Sequence, residues 1–333
     1  MNRKIAAVIV FAIVLVAATA AFSLGFPIAQ KPHAEELRVS YLNFESAAPF
    51  LIAEDRGFFT QDGLNVTAKS YTNGAFAVDD VLEGRADIAI GPGEYPVVAD
   101  ALRNGDIRVI GVFDKADIIF LVVRNWTGTG NVSDLRGKRI GYTPGTMTAF
   151  SLDRFLSVHG LPEREIEPVA VSAANMNDLA ATGRIDAVVT LQPFVDQMRN
   201  TWGGNVTVLH VQGGQPVFGL VVANGTWARE HPETIRIFLA SLDKGIQYVD
   251  THQEESFLSV RGRIGLDPAY LEAFRQQNQF GLSLDRSLVA AMEDEARWMI
   301  SNNLTDATEV PDFRQVMYTD GIQKVSPGGV NLP

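Results

Sequence analysis

The segment Val81-Leu-Glu-Gly-Arg-Ala-Asp-Ile returns about a hundred positions later as Leu179-Ala-Ala-Thr-Gly-Arg-Ile-Asp-Ala. Each copy reads as a helix stopped by glycine, an arginine, and an aspartate at the mouth of a buried apolar strand. Around the first copy, strands over Leu37–Leu42, Asn65–Tyr71, Ala86–Ile90, Ile107–Phe113 and Ile118–Arg124 alternate with helices from Pro49, Phe76 and Pro96. Around the second, strands over Lys138–Tyr142, Glu167–Val171 and Ile185–Leu191 alternate with helices over Met147–His159 and Asn175–Thr182. Strand–helix alternation predicts an α/β fold with largely parallel sheets, and the restart predicts two similar lobes rather than a solenoid. A chain of 333 residues has the length for two domains.

After a strand over Val206–Val211, Phe218–Asn224 is apolar enough to suit the middle of a sheet. The remainder reads as helical, over Pro232–Asp250, Pro268–Gln277 and Leu284–Asn302. Ser40–Val66 is the first strand–loop–helix unit. Its loop, Asn43–Ala48, stands at the carboxyl end of a strand, where α/β sheets bind ligands in a crevice.

Arg3 and Lys4 precede residues 5–26, which carry no charge and are about long enough to cross a bilayer, roughly 20 residues. Two readings stand: a membrane anchor, or a signal cleaved near Ala18-Thr19-Ala20. Both export the rest, to the periplasmic or extracellular face, with residues 28–36 as a tether after a segment 1–27. Only four residues precede the run, which leaves no expected room for a cytoplasmic output domain. Six Asn-x-Ser/Thr triplets, at Asn65, Asn125, Asn131, Asn205, Asn224 and Asn303, are compatible with export. There is no cysteine, which excludes disulfides, thiolate metal sites and a cysteine nucleophile. A net charge of −11 disfavours nucleic acid and anionic membrane surfaces as partners, because both need clustered Lys and Arg.

Four stretches together resemble the solute-binding proteins of ABC importers in the nitrate, sulfonate and taurine group, related to the thiamine-precursor binders. They are Ala53-Glu-Asp-Arg-Gly-Phe-Phe-Thr-Gln-Asp-Gly-Leu-Asn-Val, Leu82-Glu-Gly-Arg-Ala-Asp-Ile, Asp134-Leu-Arg-Gly-Lys-Arg-Ile-Gly, and Gly183-Arg-Ile-Asp-Ala followed by Gln192-Pro193. With His231-Pro-Glu they span nearly the whole exported chain in the family's order. The resemblance implies a two-lobed type II periplasmic-binding-protein fold with a ligand cleft between lobes joined by two crossover strands. It implies a discontinuous first lobe, 37–125 plus 217–333, and a second, 126–216. It also implies capture of a small organic molecule or ion and delivery to an ABC permease with its ATPase, by a monomer without cofactor or metal. Same-fold enzymes acting on pyrimidine or carboxylate compounds, and a ligand-sensing ectodomain, are the alternatives; the export segment argues against a cytosolic enzyme.

In such a fold the cleft is lined by loops at strand ends, where small-ligand pockets concentrate. The first lobe offers Asn43, Phe44, Glu45 and Ser46, then Asn73 and Gly74, then Gly93, Glu94 and Tyr95, and Asp117 in the stretch Asp114–Asp117. The second offers Thr146, Met147 and Thr148, Asn175, and Gln192 with Phe194. Thr146 and Thr148 either hold an anionic group or cap the helix they open. Phe44, Tyr95 and Phe194 either stack on a flat ligand or pack in the core. Lys115 is the only basic residue in these loops, against Glu45, Glu94, Asp114 and Asp117. An oxyanion site wants arginine, so the loops lean towards a neutral or cationic organic ligand held by Glu45 or Glu94. The five histidines lack metal-ligand spacing, and no Gly-x-Ser-x-Gly or phosphate-loop motif is present, so a binding protein rather than an enzyme is expected.

Overall fold

A computed structural model describes residues 34–333 apart from 125–130, 173, 193 and 333. The expectations for the apolar run, the tether up to residue 33, the Asn125 triplet and Pro193 lie outside the described residues. The chain begins β1 (Glu35–Leu42), α1 (Ala48–Asp55), α2 (Phe58–Gln61), β2 (Leu64–Tyr71), α3 (Gly74–Leu82), β3 (Ile88–Ile90), α4 (Glu94–Ala101) and β4 (Ile107–Ala116). There follow β5 (Phe120–Arg124), β6 (Arg139–Tyr142), α5 (Met147–Val158), β7 (Glu167–Ala170), α6 (Met176–Ala181), β8 (Ala187–Thr190), α7 (Phe194–Thr201) and β9 (Val206–His210). Then come β10 (Val217–Asn224), α8 (Gly225–Glu230), α9 (Pro232–Thr251), α10 (Gln253–Ile264), α11 (Leu271–Gln277), β11 (Asn278–Asp285), α12 (Arg286–Ser301), α13 (Ile322–Val325) and β12 (Val330–Asn331).

The strands form two mixed sheets, one in the order β12-β11-β4-β10-β3-β1-β2 and the other β7-β6-β8-β5-β9. The apolar strand β10 lies centrally in the first, antiparallel to both β3 and β4. Strands β1, β2 and β3 run parallel, as do β6, β7 and β8. In the second sheet successive residues of β5 face opposite ways, as the pleat requires. Leu121 and Val123 enter one apolar cluster, and Phe120 and Val122 enter the other. The first sheet and its helices share a separate, larger core. This is the α/β architecture expected, but the sheets are mixed rather than largely parallel, because β10 pairs antiparallel with β3 and β4, β11 with β4, and β5 with β8 and β9. No helix of the described residues is long and apolar enough to cross a membrane.

The repeated motif does the same work in both sheets. Each helix ends before a glycine with positive φ, Gly84 at 70° and Gly183 at 65°, a conformation that only glycine adopts without strain. Three residues further on, the aspartate clamps an arginine on the neighbouring parallel strand. Asp87 accepts from the Arg38 backbone N–H at 2.8 Å and from its guanidinium at 3.1 and 2.5 Å. Asp186 accepts from Arg139 in the same way at 2.9, 2.9 and 2.8 Å. The reciprocal backbone bonds, Asp87 N–H to Arg38 C=O and Asp186 N–H to Arg139 C=O, are both 2.8 Å.

The carboxyl-terminal part differs from the expected run of helices. Residues 278–285 form β11, antiparallel to β4, with Leu282 and Leu284 buried two apart. Leu284 thus belongs to a period of two rather than to the helix that starts at Arg286. Asp285 is the cap, its carboxylate accepting from Ser287 N–H at 2.9 Å. Helices α2, α7, α8, α10 and α13 add to the expected set; α2 and α13 have only four residues each, too short for a helical period to show.

Helix α9 crosses α1 at Gly245, where an added Cβ would stand 2.2 Å from the Pro49 carbonyl oxygen and 3.0 Å from Ala53. Gly245→Ala should therefore destabilise the fold by about 1–3 kcal/mol through overpacking. Gly262→Ala in α10, where a Cβ meets nothing within 4 Å, should stabilise it by roughly 0.5–1 kcal/mol through helix propensity. Urea unfolding of both variants checks the pair, and a Gly245→Ala variant as stable as the unaltered protein would refute the packing assignment at Gly245.

Candidate functional site

The carboxyl ends of β1, β2 and β3 share an edge with the end of β4, because β10 runs antiparallel to both β3 and β4. From that edge the chain passes through residues 117–119 into β5, and β9 returns through 211–216 into β10. In the second sheet Phe120 pairs with Thr190 and His210. Both passages therefore enter where the parallel strands β6, β7 and β8 end. The strand-end edges of the two sheets, the place where α/β folds bind ligands, meet at one junction.

One side chain holds the two passages together. The buried Gln212 accepts from Ile118 N–H at 2.7 Å and Ile119 N–H at 2.8 Å through Oε1. Its Nε2 donates to the Ala116 and Gln215 carbonyls at 2.9 and 3.0 Å. Outside it, exposed Asp117 faces His210 Nδ1 at 3.1 Å, which puts Asp117 on the crossover.

At the mouth of β1, Asn43 N–H extends the pairing to Tyr71 C=O at 2.9 Å. The chain then makes a short 3-10 turn over Glu45–Ala47 before α1, which carries proline in its first turn. That turn buries Phe44, Glu45 and Ser46. Glu45 is 0% exposed, and burial raises its carboxyl to about 7 against its own backbone N–H and Tyr270. Asp114, 1% exposed near the end of β4, is raised well above the usual carboxylate range by burial first and then by Glu45. Its Oδ1 accepts from Gln279 N–H at 3.1 Å. Glu45 Oε2 and Asp114 Oδ2 are buried and meet no donor. The Tyr270 hydroxyl lies 3.4 Å from Glu45 Oε1 and makes a much shorter bond to Gln277 Oε1. Burial and then Glu45 raise Tyr270, and Asp196 in the first turn of α7 acts on it too.

A second buried acid pair joins α4 to α12. Glu94 Oε2 accepts from Phe218 N–H at 3.3 Å while Oε1 has no partner, and burial pushes this carboxyl up to about 8. Both oxygens of Glu295 are unpartnered; burial and then Glu94 raise it well above its ordinary value. Two buried carboxyls that act on one another cannot both ionise cheaply, so burial and their mutual repulsion favour the protonated form.

The facing loop comes from the second sheet. Thr146 caps α5: its Oγ1 accepts from Thr148 N–H at 3.3 Å, donates to Thr143 C=O at 2.8 Å and lies 2.8 Å from Thr148 Oγ1. These threonines satisfy one another, as a helix cap does. An added Cβ on Gly93 would lie 3.3 Å from Met147 Cγ, and one on Gly145 would lie 3.9 Å from the Tyr95 hydroxyl. Residues 93–95 and 145–147 therefore touch. Nearby, Trp298 of α12 donates to Asp153 at 2.7 Å and packs on Phe150 and Tyr95.

Other expected site residues have local duties. Asn73 caps α3 by accepting from Ala75 N–H at 2.9 Å, and Gly74 lets the chain pass Pro92, 3.3 Å from an added Cβ. Exposed Asn175 accepts from Ser172 N–H at 2.6 Å, and Phe194 packs against the second-sheet core. Gln192 is buried with Oε1 unpartnered. The sequence did not single out Tyr270, Gln277 or Glu295. Asp114 directly follows the largely apolar strand segment Ile107–Phe113, and that position at the end of a strand is the signal the sequence offers.

Three comparisons bear on this geometry. The model of the "NMT1/THI5 like" family matches residues 45–256. The Bacillus subtilis binding protein YtlA is 22% identical over 292 residues, covering 84% of this chain and 86% of that one. The Saccharomyces cerevisiae enzyme 4-amino-5-hydroxymethyl-2-methylpyrimidine phosphate synthase THI12 is 21% identical, covering 71% and 74%. Among solved structures, the periplasmic aliphatic sulphonate binding protein SsuA of Escherichia coli superposes with a TM-score of 0.74 at 18% identity, covering 87% of this chain and 98% of that one. At such identities the structural likeness establishes the periplasmic-binding-protein fold.

The raised carboxyls set a pH dependence. A carboxyl that holds its proton more tightly when folded stabilises most below its unfolded value, near 4.5, and loses that contribution as pH rises through the folded value, here about 7 for Glu45 and about 8 for Glu94. Unfolding free energy should fall between about pH 5 and pH 8, each such group contributing up to about 1.4 kcal/mol per pH unit in its window. Glu94→Gln should flatten the slope. Urea unfolding across this range tests it; a rising free energy would contradict the burial described.

Proposed function

Because this chain belongs to the NMT1/THI5-like family, we propose that it is an exported solute-binding protein that captures a small molecule between two lobes and delivers it to an ABC permease with its ATPase. The lobes are 37–125 plus 217–333 and 126–216. The observation that carries the reading is the convergence of both sheets' strand-end edges on two short passages. Loops from both halves then face one space, and bending at residues 117–119 and 211–216 opens or closes it. A solute that touches both halves favours the closed form by the contacts it makes only there.

The loops at 43–46, 73–74, 93–95, 146–148, 175 and 192–194 line this space. Glu45 and Gln192 are its buried polar ends. Asp117 belongs to the hinge and helps bind solute only through closure. The N-terminal segment, as anchor or cleaved signal, sets the place of work at the outer membrane face, and an uncleaved anchor would raise the local concentration at the permease. The protein works as a monomer.

The likeness to THI12 supports a rival, an enzyme acting on a small pyrimidine compound. Native mass spectrometry of the purified protein, followed by thermal-shift and small-angle scattering measurements, separates the two. We expect a retained small molecule that leaves unchanged on mild denaturation, raises the unfolding temperature when returned, and contracts the particle. Release of a chemically altered compound would favour the enzyme.

A further inference from the structure

We infer that Glu45 and Asp114, with Tyr270 beside them, form the polar end of the solute site, and that the solute is an organic cation carrying at least two N–H donors, an amidinium or a primary ammonium. This rests on the solute-binding reading above. The two acids are 0% and 1% exposed, and each leaves one oxygen without a donor. Tyr270 cannot supply both claims on it: its single proton goes to Gln277 in the shorter bond, and Glu45 stands 3.4 Å away. Among the described residues no lysine or arginine nitrogen pairs with either acid. Lys115, adjacent to Asp114, turns instead to Asp285 at 2.6 Å, and Arg263 pairs with Glu54 and Asp55.

The cluster lies on the ligand-binding edge. Glu45 follows β1 and Asp114 stands near the end of β4, where the passage to the second sheet begins. Asp196 approaches Tyr270 from that second sheet's α7. Buried acceptors without donors are costly unless a donor arrives, and a cation with two N–H groups satisfies both acids at once. Nitrate or a sulfonate would bring a third anion into the cluster, and an apolar solute would leave both oxygens unmet. A metal ion lacks ligands here, since no group of three His, Asp or Glu side chains is assembled among the described residues.

The test is calorimetric titration of the purified full-length protein with benzamidine and with n-propylammonium, against sodium ethanesulfonate, sodium nitrate and zinc chloride. At least one of the two organic cations should bind. Glu45→Gln and Asp114→Asn should each weaken it about 10- to 100-fold, the loss of one charge-assisted hydrogen bond. Glu45→Gln, which removes a buried charge near pH 8, should raise the unfolding temperature of the unliganded protein, and Asp114→Asn should not lower it, so lost binding is not lost folding. In the unaltered protein the cation should bind more tightly as pH rises from about 6 to about 8, with proton release, as Glu45 ionises. The titratable groups acting with it are Asp114 and Tyr270, Asp196 acts in turn on Tyr270, and none of them adds a positive charge. Equal affinity in both variants, a flat pH profile, or binding of zinc alone would overturn the inference. Binding of ethanesulfonate or nitrate with contraction of the particle would overturn it while leaving the solute-binding reading intact. Capture of no small molecule of either sign would remove that reading as well.

Discussion

Parallel strands have no hairpin to set their register, and a slip of one residue turns every buried side chain outwards. In this protein the same device prevents the slip twice: an aspartate at the mouth of one strand grips the backbone N–H and guanidinium of an arginine on its neighbour. Arg38–Asp87 and Arg139–Asp186 are partly exposed, so their net contribution to stability is small. Their value is geometric. With the amino ends held level, the carboxyl ends of β1 and β3, and of β6 and β8, are level too. The loops that follow then share an edge in each sheet.

Everything proposed about ligand capture depends on how those edges are joined. The chain crosses between the sheets by two short passages, and Gln212 satisfies polar groups on both from one buried amide. A link with its hydrogen bonds met internally can bend without exposing unpaired donors. The contact of residues 93–95 with 145–147, and the bond from Trp298 to Asp153, join the halves at a second place. A well-packed fold would place apolar side chains where Glu45, Asp114, Glu94 and Glu295 stand. Departures of this kind gather where function outweighs local consistency.

Much of the framework was legible because its signals are local. Helix-Gly-Arg-x-Asp-strand lies within nine residues, and the glycine, the apolar strand and the helical spacing each act on near neighbours. The strand β11 was missed for the same reason: Leu282 and Leu284 show their period of two only against β4, while Leu284 taken with the residues after it fits a helix. The loops at Glu45, Glu94, Thr146 and Gln192 could be read as strand-end loops. Which of them would end as caps could not, since the Thr146–Thr148 cap and the Asn73 cap use the same residue types that bind ligands.

By itself the sequence determined the α/β alternation, its duplication, the strand-end loops and their excess of acid over base, because pattern and composition depend on residues close together in the chain. The tertiary structure alone decided which acids face each other without donors. Glu45 meets Tyr270 across 225 positions, and Asp114 meets Gln279 across 165. Glu94 meets Glu295 through the packing of α4 on α12. Whether a carboxylate is solvated, capped or buried and waiting for a cation depends on what the fold brings against it, and local spacing carries no record of that.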